Sequence, residues 1–515
     1  MNLSTLVRSF SPLLRPENWL LWLTILILAR SFFTYTQTYS GIPTDACLGY
    51  GEARPYDVYD YVCPVENLLS NGAWEPDYRL PGYSIIYLIF RSFLPMWYAL
   101  FMMIVLQVIV GAIASYLIAK SAYMLTKSKT FFFIGIIAYG INKYTALYDG
   151  CLRTDSLNQS FLAISIYFIV RSIETIDHRP ILYAGSLVAW ASFMRPATLF
   201  VAPIYIVAVI LLKRSTLKSL IASIIIFSLP LLILFSTFIF VFYLAKGRHF
   251  HLDYQPPYRR TYIKNLLRFH GLICYPNIPI SLSSSKDPNK EYHHSFAGIF
   301  SDTSIQIGHK VYILPKSVTQ IRSTSEVQRL RYHYLKTCAD ACEIDVDSLL
   351  ILERELMKIY GSSLEAADQI DNMVGAKINS YILRVRQNRP IYYYISSRIR
   401  ATLKLMIEGV KPTFTHNKYV LIIKTLNYII FQLISTILYL VLLPIGLLIC
   451  IFFREEKLSI AVILSVSGFA VVFVHAGIQG LPQSRYIASA YPYIYWGVPT
   501  IIGFLIRILK EKGKF

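Results

Sequence analysis

The sequence predicts an all-α polytopic membrane protein, and three observations carry that reading. Hydrophobic residues make up 55% of the 515 positions and charged residues only 16%, well under the roughly 25% charge of a soluble domain. Several apolar runs reach the roughly 20 residues that cross a bilayer as a helix, the element that satisfies its own backbone groups where lipid cannot. The alternation expected of outer-membrane strands is missing from these runs, which argues against a barrel.

The first run, Trp19 to Tyr35, follows Arg8 and Arg15 as a cleavable signal would. It has no small-x-small cleavage site and further apolar runs follow, so it reads as a retained anchor. Its Arg30 is expected to snorkel to the outer interface. The pattern extends to about ten spans, near 18–36, 97–124, 130–148, 156–173, 180–194, 197–212, 218–244, 424–453, 458–476 and 490–508. The fifth and sixth are short and divided by Arg195-Pro196, which predicts tilted or broken helices.

Basic residues in short loops set the orientation. Arg8, Arg15, Lys127, Lys129, Lys213, Arg214, Lys218, Lys510, Lys512 and Lys514 fall on one side, read as cytoplasmic together with both termini. Loop 37–96 and the long segment 245–423 then face outward. The chain divides into an N-terminal membrane module (1–244), the large outer loop (245–423) and C-terminal helices (424–515). Within the large loop, Glu326 to Cys338, Ser348 to Tyr360 and Ile391 to Met406 have helical amphipathic spacing, and the last suits a helix lying on a membrane surface. The formal charge of +20, with Lys and Arg in excess across this loop, suits an anionic partner or anionic lipid heads.

Six of the seven cysteines fall on the outer side: Cys47, Cys63, Cys151, Cys274, Cys338 and Cys342. An oxidising compartment permits pairing there, and Cys47 with Cys63 is the favoured pair. Cys338 and Cys342 share one helical turn, an awkward geometry for a disulfide. Cys450 reads as packed within a span. No internal repeat and no nucleotide-binding glycine loop is evident, and no nucleic-acid partner is expected.

Charge at membrane depth costs about 2.5 kcal/mol or more, so the charged clusters of the outer face need a reason. They are Asp57 to Tyr61, Arg79 to Tyr83, Asp149 to Asp155, Arg195-Pro196 and Gln483 to Tyr486. Carboxylates and arginines at one interface suit transfer of a sugar from a lipid phosphate. A carboxylate takes the proton of the attacking hydroxyl, cations stabilise charge growing on the departing phosphate, and the planar arginine fork binds two phosphate oxygens at once. Aromatic rings pack on sugar faces and prenyl chain.

These residues resemble, in order, the motifs of C-type (GT-C) glycosyltransferases, more narrowly the bacterial relatives of dolichyl-phosphate-mannose protein mannosyltransferases and the aminoarabinose lipid A transferases. Asp57-x3-Tyr61-x5-Asn67-Leu68-Leu69-x2-Gly72 and then Arg79-x-Pro81-Gly82-Tyr83 look like that family's first outer loop. Thr154-Asp155-Ser156-Leu157 is similar to its Thr-Glu-Ser-Leu, Arg195-Pro196-Ala197-Thr198 to its Arg-Pro element, and Arg485-Tyr486 with Pro492 to its late outer loop. Ile378 to Met406 looks like its amphipathic region before a later span.

The resemblance implies an inverting hexosyl- or pentosyltransferase that uses a polyprenyl-phosphate sugar donor and an extracytoplasmic glycan, lipid or protein acceptor. The expected location is a bacterial inner membrane with the working face outward; the carrier would be undecaprenyl phosphate in a bacterium and dolichyl phosphate in other lineages. Asp57 matches the catalytic carboxylate, with Asp60 as the competitor. Arg195, Arg485 and Arg79 would bind donor phosphate; Tyr61, Tyr83, Asp155 and Tyr486 would line the substrate. Asp155 stands where relatives carry Glu, and capping of the fourth span by Asp155 and Ser156 is the competing reading. His475 reads as packed. The residues point to no particular cofactor; some relatives use a divalent metal, which stays open, although two separated aspartates make a poor site for one. Two alternatives stand beside the transferase: an O-antigen-type polysaccharide polymerase, and a non-enzymatic lipid-sugar flippase or transporter with buried charges along its spans.

Overall fold

The structure, a computed structural model, describes residues 15–39, 56–72, 80–175, 177–212, 216–246, 379–409, 425–453, 455–478 and 484–511, with short pieces at 272–273, 305–307, 310–312, 376 and 422. The described chain is helical almost throughout. In order it forms α1 (Trp19–Tyr39), α2 (Tyr56–Asn71), α3 (Gly82–Arg91), α4 (Met96–Thr126), α5 (Lys129–Gly135), α6 (Lys143–Ala146), α7 (Thr154–Glu174), α8 (Arg179–Met194), α9 (Val201–Leu212), α10 (Leu217–Lys246), α11 (Ser397–Glu408), α12 (Ser435–Phe453), α13 (Glu456–Val472) and α14 (Tyr491–Glu511). The exception among the described residues is a small antiparallel ladder that pairs Ile305–Ile307 with Lys310–Tyr312.

Among the described residues, five stretches are long and apolar enough to cross a membrane: Tyr98–Thr126, Leu217–Leu244, Thr425–Phe452, Glu456–Ile478 and Tyr486–Glu511. Trp19–Tyr35, Lys129–Gly140 and Pro196–Leu212 are apolar but shorter. The expected third span is interrupted: α5 runs into a π-turn at Ile136–Gly140, and α6 restarts with the Asn142 side chain accepting from the Tyr144 N–H. The expected break at Arg195-Pro196 is present. α8 ends at Met194, Arg195 is extended, and Pro196–Phe200 forms a 3-10 turn before α9, because proline lacks the N–H that a continuing helix would use.

The chain separates into two compact units, one of residues 1–252, 429–471 and 488–515, the other of 253–428 and 472–487. In the first unit, Trp22, Leu26, Ala112, Tyr116, Ala119, Phe132 and Ile136 form a core between α1, α4 and α5. In the second, α11 lies against the π-turn Phe473–Ile478, and the Arg398 guanidinium donates to the Gly477 carbonyl at 3.0 Å. Of the amphipathic segments expected in the long loop, Ile391 to Met406 is helical, whereas Glu326 to Cys338 and Ser348 to Tyr360 lie outside the described residues.

Arg30 corrects the sequence reading. It does not snorkel: it is fully buried in the first unit, with Nε 2.7 Å and Nη2 3.2 Å from the two carboxylate oxygens of Asp149. Room for the guanidinium comes from Gly111 of α4, where a Cβ would stand 2.6 Å from Arg30 Nε. Its partner lies 119 residues away along the chain, so inspecting one apolar run could not reveal the pairing.

Candidate functional site

The site begins with α2 and α3. Asp57, Tyr61 and Val65 recur every four residues on α2, the spacing that brings positions onto one helix face, and Tyr61 and Val65 are both buried. Asp60 sits one residue before Tyr61, about 100° round the helix. The side chains of Asp57 and Asp60 lie outside the described residues, as do all of Arg79, Cys47, Cys274, Cys338 and Cys342 and the side chain of Cys63. The Tyr61 ring packs against Tyr83 of α3 with centroids 5.3 Å apart.

Two features hold α3 in place. Tyr87 Oη donates to Glu66 Oε1 at 2.6 Å, and Arg91 forks onto both Glu66 oxygens at 2.9 and 3.2 Å. At the opposite end Gly82 lies so close to the end of α8 that a Cβ would stand 2.8 Å from the Phe193 carbonyl oxygen. The Pro-Gly-Tyr element therefore abuts the end of α8 at Phe193 and Met194, just before Arg195. Tyr83 is buried and its hydroxyl donates to Gln107 Oε1 at 3.0 Å. Burial first, then neighbouring Tyr61, Cys151 and Asp155, hold its phenol well above the usual tyrosine value, so it remains a neutral donor.

The first turns of α7 carry the second part. Asp155 and Asn158 are three residues apart, as are Ser156 and Gln159, so each pair shares a face and the two faces are turned by about 100°. Towards Asp149, Ser156 Oγ donates to Asp149 Oδ1 at 2.6 Å and Gln159 Nε2 donates to the Thr145 carbonyl at 2.5 Å. Towards α8, Asp155 pairs with Arg195 Nη1. Arg195 also reaches Ser489 Oγ at 3.4 Å, Ser489 donates to Asn158 Oδ1 at 2.8 Å, and Asn158 Nδ2 donates to the Ala191 carbonyl and to Thr198 Oγ1 at 2.8 and 3.0 Å.

The capping alternative for Asp155 and Ser156 is corrected. The N-cap of α7 is Arg153, without a side-chain cap bond, and both side chains instead serve buried partners. Asp155 and Arg195, expected separately at substrate and at phosphate, are brought together as one buried pair. Losing Arg195 would strand the buried Asp155 charge, at a cost of about 3–5 kcal/mol.

The late-loop residues belong to the other unit and are placed only within it. Tyr486 is buried and stacks on His475 with centroids 4.1 Å apart and planes 6° apart, a packed histidine as expected. Arg485 lies in the 3-10 turn Ser484–Ala490, with its side chain outside the described residues. Cys450 is a free thiol. Among the described residues no group of three His, Cys, Asp or Glu could hold a metal.

Compared with known proteins, the chain matches no family model, no curated protein and no solved structure.

The sequence reading singled out neither Glu66 and Arg91 nor Gln107, Asn158 and Ser489. Asn158 had a visible signal. A Thr-Asp-Ser-x-Asn-Gln-Ser run opening an otherwise apolar helix is costly to bury unless every polar group is matched.

Proposed function

We propose that this protein is an inverting glycosyltransferase of the C type, moving a sugar from a polyprenyl phosphate to an acceptor outside the cytoplasm. The observation that supports this reading best is convergence. Tyr61, Tyr83, Leu152, Leu157 and Met194 belong to, or adjoin, four separate motifs, yet they share one buried cluster. An ordered set of family-like motifs meeting at one place is what a shared substrate would require.

On this reading, Asp57 accepts the proton of the acceptor hydroxyl as its oxygen attacks the anomeric carbon. The bond from that carbon to the phosphate oxygen breaks, the electron pair leaves with the polyprenyl phosphate, and configuration inverts. Arg195 faces the growing phosphate charge, and Asp155 holds it ready. The membrane arrangement belongs to the same proposal: about ten spans, both termini cytoplasmic, and loops 37–96 and 245–423 on the outer side of a bacterial inner membrane.

The buried Arg30–Asp149 pair favours a second reading, a lipid-sugar flippase, because paired charges at membrane depth also mark transport pathways. One assay separates the two. The full chain in proteoliposomes receives a labelled undecaprenyl-phosphate sugar, with Asp57→Asn beside the parent. The transferase reading expects release or transfer of sugar by the parent, none by Asp57→Asn, and donor binding by both. Full activity in Asp57→Asn rejects the catalytic assignment, and lipid movement without cleavage of the sugar bond supports the flippase.

A further inference from the structure

Asp149 forms the junction of a buried hydrogen-bond network that reaches three motifs. Arg30 of α1 holds both its carboxylate oxygens, and also donates to Ser115 Oγ at 3.1 Å and to the Thr145 carbonyl at 2.8 Å. The same carboxylate accepts from Ser156 in the first turn of α7, next to Asp155. The Asp149 main-chain carbonyl accepts from Gln107 Nε2 at 2.7 Å, Gln107 also donates to the Cys151 carbonyl at 2.9 Å, and its own oxygen accepts from Tyr83. A single carboxylate thus ties the first helix, the loop 147–153, the entry to α7 and, through Gln107, the Pro-Gly-Tyr element.

The pair is an expensive way simply to hold helices together, since a buried ion pair is often no better than apolar residues of the same volume. What it supplies is direction. Four of the five guanidinium N–H groups meet acceptors on α4 and on the 145–149 segment, so the loop carrying Asp149 has one orientation, and Ser156 transmits that orientation to α7. Asp155 precedes Ser156 on the adjacent face, and Asp155 holds Arg195.

We infer that Asp149, held by Arg30, is a positioning residue that sets the Asp155–Arg195 pair for a lipid phosphate through Ser156. This rests on the transferase reading of Arg195, and the test separates the two. The full chain in phosphatidylcholine vesicles is titrated with undecaprenyl phosphate, and the thermal transition of each variant is recorded alongside. Ser156→Ala cuts only the link to α7; Arg30→Met with Asp149→Leu removes the charge pair without stranding a charge; Arg30→Lys keeps the charge; Arg195→Met serves as reference.

The expected result is binding weakened about tenfold in Ser156→Ala and in the double variant, in the range that small misplacements produce. Ser156→Ala keeps the parental thermal transition, and Arg30→Lys, which keeps the charge but loses the fork, weakens binding as the double variant does. Parental binding in Ser156→Ala, with Arg195→Met clearly weakened, overturns the positioning role and leaves the reading of Arg195 standing. Parental binding in Arg195→Met, or no binding by the parent, overturns the phosphate reading itself and this inference with it. If the double variant does not fold, Ser156→Ala and Arg30→Lys decide the matter.

Discussion

Gly185→Ala tests how α10 is held. Gly185 sits on α8 where α10 crosses it, and a Cβ there would stand 2.2 Å from the Phe227 carbonyl oxygen. Ordinary contact begins at 3.4 Å, so the added methyl is about 1.2 Å too close to backbone that cannot rotate away. The helices must part. Parting them loosens Phe193 from Phe235 and Phe238, whose ring centroids lie 5.7 and 5.3 Å away. Little else on α10 is buried, since only 6% of its most apolar window is enclosed, and close approach at small residues is the means by which apolar helices associate in lipid. The cost is expected at about 1–3 kcal/mol, read as a lowered thermal transition in detergent and faster hydrogen exchange across α10. Ser186→Ala is the control: that side chain is exposed and bonds only within its own helix, to the Leu182 carbonyl at 2.9 Å. A parental transition in Gly185→Ala would refute the close-packed seam.

Two further substitutions probe the buried polar network. Gly111→Ala places a methyl 2.6 Å from Arg30 Nε and is expected to destabilise by about 1–3 kcal/mol; thermal unfolding that matches the parent would contradict the tight seat of the guanidinium. Tyr83→Phe leaves Gln107 Oε1 buried without its donor, a loss of about 1–3 kcal/mol. Because burial raises the Tyr83 phenol, the folded state holds that proton more tightly than the unfolded state. Its contribution is therefore complete below the ordinary tyrosine value of about 10 and declines as pH rises above it. Tyr83→Phe should flatten part of that decline in stability measured between neutral and alkaline pH.

How far the fold could be read depended on the kind of signal. Apolar runs speak for themselves, so the helices at 97–124, 218–244, 424–453 and 458–476 were legible, and so was the break at Arg195-Pro196, which follows from one missing N–H. Long-range polar pairing was not. Arg30 sits in an apolar run, where snorkelling is the economical expectation for a lone arginine; its burial depends on Gly111 and on Asp149, and neither position announces the other. Glu66 with Arg91 is the same problem at shorter range. Of the candidate site, the sequence marked Tyr61, Tyr83, Asp155 and Arg195 but could not show that the last two neutralise each other. That depends on how α7 and the end of α8 approach, through Asn158 and the Ala191 carbonyl.

The Asp155–Arg195 pair raises a question that single substitutions cannot answer. If Asp155 only holds the guanidinium, its worth depends entirely on Arg195; if it also touches substrate, some of its worth survives without Arg195. A double-mutant cycle separates these. Arg195→Met alone strands a buried aspartate and should cost about 3–5 kcal/mol of stability, and Asp155→Asn alone removes the carboxylate that Arg195 Nη1 bonds and should also destabilise. The double variant Asp155→Asn with Arg195→Met removes both charges and keeps similar volumes, so it should be markedly more stable than either single variant. In that neutral background, restoring Asp155 should then fail to improve sugar transfer, because its only task has gone. Asn158 and Ser489 make this expectation sharp: they are already bonded to each other and to the end of α8, so the surrounding frame persists when the charges are removed. Transfer that rises when Asp155 is restored beside Arg195→Met would show instead that the carboxylate meets the substrate directly, and the pair would then be two site residues rather than a holder and the group it holds.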